Sequence, residues 1–196
     1  MSAWHEMSWI ELLAAALALA YVRLAIGQRL SCWAAAFTSS VLYVWVYFTS
    51  RLFMESALNV FFAAMAVYGF WQWQHGRGGG TLQVTRWPLA RHALALLGIV
   101  AAAAVNAYFL ARFTPAANPF IDSMVTWSSV FTTFLVARKV YENWYWWLAI
   151  DSVCVCLYFT RHLYLTMLLY TVYVVLCVIG MREWRRSLPI AAYAAA

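Results

Sequence analysis

The chain has 196 residues, of which 66% are hydrophobic, 18% aromatic and only 10% charged. A soluble domain carries about 25% charged residues, so water-soluble and disordered classes are both excluded. Four cysteines without framework spacing also exclude a disulfide scaffold. The class that remains is an all-α integral membrane protein, and at roughly 20 apolar residues per span the length holds about seven spans.

Apolar runs separated by Arg, Pro, Gly and Asn place the spans at 7–27, 31–50, 54–74, 92–113, 119–138, 143–160 and 163–182. Helix is the form expected, because backbone polar groups in lipid must be satisfied within the segment or in a closed barrel, and these runs are too continuous for barrel strands. The first run lacks the positive start of a cleavable signal peptide and reads as an ordinary span. Alternate loops fall on opposite sides. One side holds Arg51, Arg112 and Arg161; the other holds Arg23, Arg29, Arg77, Arg86, Arg91, Arg138, Lys139, Arg182, Arg185 and Arg186. Basic residues stay cytoplasmic, which predicts an outside N-terminus and a cytoplasmic C-terminus in a bacterial inner membrane. The net charge of +6 then faces anionic lipid of the bilayer, with no nucleic-acid partner required.

The loop 75–91 contains Gly76-Arg77-Gly78-Gly79-Gly80. A phosphate cradle of the P-loop kind needs a following Lys-Ser/Thr that is missing, so the segment reads as a flexible cytoplasmic linker.

Sliding the chain along itself reveals a repeat. Trp33 falls on Trp144, Val44 on Val155, Tyr47-Phe48-Thr49 on Tyr158-Phe159-Thr160, Leu52 on Leu163, Leu58 on Leu169, Val67 on Val178, Gly69 on Gly180 and Trp73 on Trp184. Glu11 likewise falls on Asp122. Spans 1–3 pair with spans 5–7 and span 4 is left as a linker, a 3+1+3 arrangement of two parallel three-helix repeats. The expected organisation is a first triple-helix bundle at 1–74, a cytoplasmic loop at 75–91, a linker helix at 92–113, a second bundle at 119–182 and a cytoplasmic tail at 183–196. Such bundles hold a solute near the midplane and expose it alternately by rocking.

Polar residues within spans are costly and mark function. In span 6, Trp144, Trp147 and Asp151 are spaced i, i+3, i+7 and share one helical face. Span 5 carries Asp122, Thr126, Ser129 and Thr133 as a stripe. Span 7 carries Thr166, Tyr170, Tyr173 and Cys177. Span 2 offers Trp33, Ser40, Tyr43 and Tyr47, and Asn59 and Asn106 lie at depth in spans 3 and 4. Aromatic faces stack on planar rings and attract cations, a carboxylate offsets positive charge, and hydroxyls and amides bond a sugar. The set suits a flat cationic aromatic solute with polar substituents. Each feature also has a plainer origin. Trp146 and Trp184 read as interfacial belt anchors, the Ser/Thr stripe packs helices or bonds its own backbone, and Asp151 pairs with a neighbouring Arg. No metal-binding His pair, Cys-x-x-Cys or Ser–His–acid set is present, so neither a cofactor nor an enzyme is expected. A receptor or assembly subunit is the competing class.

The run Ala137-Arg138-Lys139-Val140-Tyr141-Glu142-Asn143-Trp144-Tyr145-Trp146-Trp147, then Asp151, then Leu163-Tyr164-Leu165-Thr166 and Gly180-Met181-Arg182-Glu183-Trp184-Arg185, closely resembles the PnuC vitamin transporters. Tyr68-Gly69-Phe70-Trp71-Gln72-Trp73 is similar to an aromatic element of the same family, and the resemblance covers roughly 8–186. It implies seven core spans as in SWEETs, facilitated diffusion of nicotinamide riboside, trapping by a separate cytoplasmic kinase, and a homotrimer. Branches of the family carry thiamine or riboflavin. The resemblance also implies that Trp144 and Trp147 line the substrate site, with Asn143 and Asp151 beside them. Thiamine, another cationic aromatic, stays open as the alternative substrate, and riboflavin, larger and neutral, fits less well.

Overall fold

A computed structural model of the protein describes residues 9–76, 82–114 and 118–189. The first eight residues, most of the glycine run and residues 190–196 lie outside the described residues. Seven helices follow in order: α1 (Trp9–Ile26), α2 (Cys32–Thr49), α3 (Phe53–Gln74), α4 (Leu89–Phe113), α5 (Pro119–Ala137), α6 (Asn143–Thr160) and α7 (Tyr164–Arg186). Six have the length and apolarity to cross a membrane. An 18-residue helix spans about 27 Å, close to the hydrocarbon thickness. The exception is α6, whose hydropathy is lowered by Asn143, Trp144, Tyr145, Trp146, Trp147 and Asp151. Its repeat counterpart α2 meets both limits. Large apolar side chains such as Leu12, Trp45, Leu97 and Val175 stand exposed along the helices, as a lipid-facing surface requires.

The duplication is visible in backbone detail. Among the described residues, four non-glycine positions have positive φ: Gln28 (53°), Arg51 (60°), Lys139 (49°) and His162 (58°). The first and third are repeat equivalents, as are the second and fourth. Each ends a helix in the same capping geometry. After α2, the Arg51 N–H donates to the Phe48 carbonyl at 3.1 Å and the Leu52 N–H to Tyr47 at 2.8 Å; after α6, His162 donates to Phe159 at 3.1 Å and Leu163 to Tyr158 at 2.9 Å. After α1 and α5 the matching bonds run from Arg29 to Leu24 at 3.0 Å and from Val140 to Leu135 at 2.9 Å. This is the Schellman turn, which satisfies orphaned helix carbonyls at the cost of one left-handed residue.

The chain divides into two compact units between Leu82 and Gln83. The first unit holds α1–α3, with α2 packed along both neighbours. At its centre Trp33 of α2 is 2% exposed and meets Trp73 of α3 edge-on, centroids 5.4 Å apart at 85°. The Trp33 indole lies so close over Gly69 that any Cβ there would collide with it. Glycine permits this close helix approach. Ser39 ties α2 to α1 by donating to the Ala14 carbonyl at 2.8 Å, and Ser56 ties α3 to α2 by donating to Val44 at 3.1 Å.

The second unit repeats the clasp. Trp144 of α6 covers Gly180 of α7, where a Cβ would meet the indole at 2.6 Å, and it meets Trp184 edge-on at 5.4 Å and 89°. The belt-anchor expectation for Trp184 is therefore corrected: it is fully buried against Trp144. Trp146 is corrected too. Its Nε1–H donates to His92 Nδ1 at 3.2 Å, and its ring packs on Phe131 at 5.2 Å. The linker helix α4 belongs to this unit and packs along α5, with Asn106 Nδ2 donating to Ser123 Oγ at 3.0 Å.

Over residues 82–88 the linker is ordered, not flexible. Thr85 pairs in parallel with Val140: the Thr85 N–H donates to Lys139 at 2.9 Å and the Tyr141 N–H donates to Thr85 at 2.8 Å. Glu142, at the entry to α6, accepts from Arg86 Nε at 2.9 Å and from the Trp87 N–H at 3.1 Å. The hydrogen bond to Glu142 holds the Arg86 guanidinium above its ordinary pKa. Trp87 lies against Phe131, Phe134 and His92. The glycine-rich composition hid a strap built around one apolar anchor and one carboxylate. The helix bounds differ too: α4 begins at Leu89, ahead of the expected 92, and α7 runs on to Arg186, past the expected 182.

Candidate functional site

The candidate site is built on α5, α6 and α7 of the second unit. Asp151 sits mid-way along α6 and is 5% exposed. Its Oδ2 accepts the Cys177 Sγ–H of α7 at 3.5 Å. Among the described residues no arginine pairs with Asp151, so the plainer alternative of an arginine partner is not what holds it. About two turns away along both helices, the Tyr158 and Tyr170 rings lie 5.1 Å apart, and Tyr173 meets Tyr170 edge-on at 5.7 Å. Acid, thiol and tyrosine hydroxyls thus share one α6–α7 interface. Trp147, half-buried, lies one turn before Asp151 on α6.

The α5 stripe forms as a helix-side row with a specific polarity. Thr126 donates its hydroxyl proton to the Asp122 carbonyl at 2.9 Å, Ser129 to Val125 at 2.8 Å and Thr133 to Ser129 at 2.8 Å. A hydroxyl that spends its one proton on its own helix keeps only lone pairs to offer. Together with the Asp151 carboxylate, the row can accept hydrogen bonds and attract positive charge. Asp122 itself faces Arg161 at 3.4 Å, near the other end of the helices.

Several expected site residues turn out to have other surroundings. Trp33 and Trp144 occupy the two clasps, each with its indole N–H buried and without a hydrogen-bond partner. Asn143 is fully buried and donates Nδ2–H to the Val140 carbonyl at 2.6 Å, closing the turn into α6. In the first unit, Ser40 is buried on α2, and half-buried Asn59 donates to the Glu55 carbonyl at 2.9 Å. Two structurally prominent residues escaped the sequence reading of the site: Cys177 as the partner of Asp151, and Glu142 as the anchor of the strap. The spacing of Cys177 in the span-7 stripe was a usable signal. The Glu142 contact joins distant segments and left no local pattern.

Duplicated three-helix units joined through one additional helix, with polar chemistry kept inside helices, define a polytopic membrane carrier. Residues 8–186 match the nicotinamide mononucleotide transporter family, and the chain belongs to that family of membrane transporters. It is 24% identical to the nicotinamide riboside transporter PnuC of Escherichia coli (strain K12), an alignment over 93% of this chain and 87% of that protein. It is 27% identical to the riboflavin/roseoflavin transporter RibM of Streptomyces davaonensis, covering 85% of this chain and 80% of that one. A crystal structure of the vitamin B3 transporter PnuC superposes with a TM-score of 0.73 at 20% identity, covering 93% of this chain and 83% of that one. The fold and the PnuC resemblance expected from the sequence are borne out.

Proposed function

We propose that this protein carries nicotinamide riboside across the bacterial inner membrane by facilitated diffusion with alternating access, with its N-terminus outside and its C-terminus cytoplasmic. A separate cytoplasmic kinase traps the riboside by phosphorylation, and the carrier works as a homotrimer. The observation that carries the substrate assignment is the acceptor character of three groups, Asp151 and the hydroxyls of Thr126 and Ser129, whose protons are already committed. A pyridinium ring supplies the positive charge, and ribose supplies the hydroxyl donors. Trp147 and Tyr170 offer the stacking faces, and Thr126, Ser129 and Asp151 the polar contacts. Trp33 and Trp144 each hold the helices of their own unit together.

The same chemistry separates riboside from mononucleotide. A phosphate needs donors or cations, and α5, α6 and α7 up to Met181 contain no Lys or Arg. The riboside name of the Escherichia coli relative points the same way. Thiamine shares the cationic ring and remains the alternative. The RibM likeness supports riboflavin as a further reading, although a neutral flavin makes no use of the Asp151 charge.

Binding calorimetry on the purified protein tests this directly. Nicotinamide riboside is expected to bind, nicotinamide mononucleotide to bind at least tenfold more weakly, and Trp147→Ala to remove saturable uptake without loss of membrane insertion. Equal affinity for mononucleotide, or tighter binding of thiamine or riboflavin, overturns the assignment.

A further inference from the structure

The two units place equivalent positions in equivalent packing, so a difference between them marks what one unit has acquired. Asp151 and Cys177 correspond to Ser40 and Ala66. All four are buried, Ser40 and Ala66 on α2 and α3, Asp151 and Cys177 on α6 and α7. In the first unit this pair of positions is small and neutral. In the second it is a carboxylate whose Oδ2 accepts a thiol proton at 3.5 Å, with Cys177 only 3% exposed. Both changes lie on facing helices and make a single contact, so they act as a unit. The scaffold alone does not demand them, because the first unit packs without them.

We propose that Cys177 is a positioning residue that sets the preference for a cationic over a neutral ligand. Its thiol occupies Oδ2 of Asp151 and fixes the plane of the carboxylate. Oδ1 is then the oxygen presented to the positively charged ring. A carboxylate free to rotate would share its charge among neighbouring hydroxyl donors such as Tyr170, and the ligand's charge would gain less from it. The inference rests on the carrier reading above and deepens it, since it names the residue that makes Asp151 selective without itself touching the ligand.

The test compares two probes of nearly the same shape, nicotinamide riboside and its 1,4-dihydro form, which lacks the ring charge. Dissociation constants for both are measured on purified wild type, Cys177→Ala, Cys177→Val, Cys177→Ser and Asp151→Asn. A thiol is a weak donor, so loss of its hydrogen bond is taken at the size of an ordinary one, about threefold to tenfold in a binding ratio. The ratio favouring the cation is expected to shrink by that factor in Cys177→Ala and Cys177→Val, to be kept in Cys177→Ser, and to collapse in Asp151→Asn. Cys177→Val fills the thiol's volume, so the measurement survives if the alanine variant fails to fold. A purely structural role for the thiol would weaken both probes equally and leave the ratio alone. An unchanged ratio in both donor-free variants, with Asp151→Asn still collapsing it, overturns this inference only. Wild type without affinity for the riboside overturns the carrier reading and this inference with it.

Discussion

The two units share one packing scheme and differ in some of the side chains that it buries. Both carry a Trp–Gly–Trp clasp and matching left-handed turns. They part company at the inner positions. Where the second unit has Thr126, Ser129, Trp147, Asp151 and Cys177, the first has Ala15, Ala18, Ala36, Ser40 and Ala66. Duplication kept the residues that hold helices together. At these five positions the larger polar and aromatic groups lie in the second copy, where burying them is costly unless they bond a neighbour or a solute.

That contrast is sharpest for ligand binding. Asp151→Asn should weaken nicotinamide riboside by tenfold or more, the cost of removing a charge from a buried contact, about 1.5–3 kcal/mol. Ser40→Ala, at the equivalent place, should change affinity less than twofold by calorimetry. A large effect at Ser40 would mean the first unit also supplies ligand contacts. Stability should show the opposite pattern. Gly69→Ala and Gly180→Ala each push a methyl group into an indole, and thermal unfolding in detergent should show losses of about 1–3 kcal/mol in both. If only one of them destabilises, the clasps are not equivalent.

The strap separates the units again, more weakly. Glu142→Gln removes the charged acceptor of Arg86, which is one-third exposed, so the loss should be about 1 kcal/mol; Ser31→Ala, at the repeat position, should be nearly silent. The smallest effect tests the turns. Arg51→Gly should stabilise by about 0.5–1 kcal/mol by relieving its left-handed backbone, and His162→Gly by less, because His162 Nδ1 also contacts the Tyr164 hydroxyl at 3.0 Å. A loss of stability at Arg51 would assign its side chain an unrecognised partner.

Much of this was legible in the sequence, for identifiable reasons. Span length is fixed by lipid thickness, so helix ends were found to within a few residues, and an ungapped duplication announced the two units. The candidate site was only partly legible. A tryptophan near the end of an apolar run looks the same whether it faces headgroups or a glycine far along the chain, so the belt-anchor reading of Trp184 gives way to burial against Trp144. Local composition misjudged the strap, because the pairing of Thr85 with Val140 and of Arg86 with Glu142 joins segments more than 50 residues apart and neither segment signals the other. Hydroxyl polarity was half visible: spacing placed Thr126 and Ser129 on one face, while the direction of their protons needed coordinates.

The strap has a mechanical consequence. Within the second unit α4 lies along α5 and α7 along α6, while α5 and α6 meet over a smaller area. The unit is therefore two stiff pairs meeting at a weak seam. At one end the strap sutures that seam, through Thr85 on the α5–α6 corner, Trp87 on α5 and Glu142 at the head of α6. At the far end the one-third exposed Asp122–Arg161 pair bridges it. Tweezers built this way have a fixed fulcrum and open at one tip, so thermal agitation is channelled into one direction of widening.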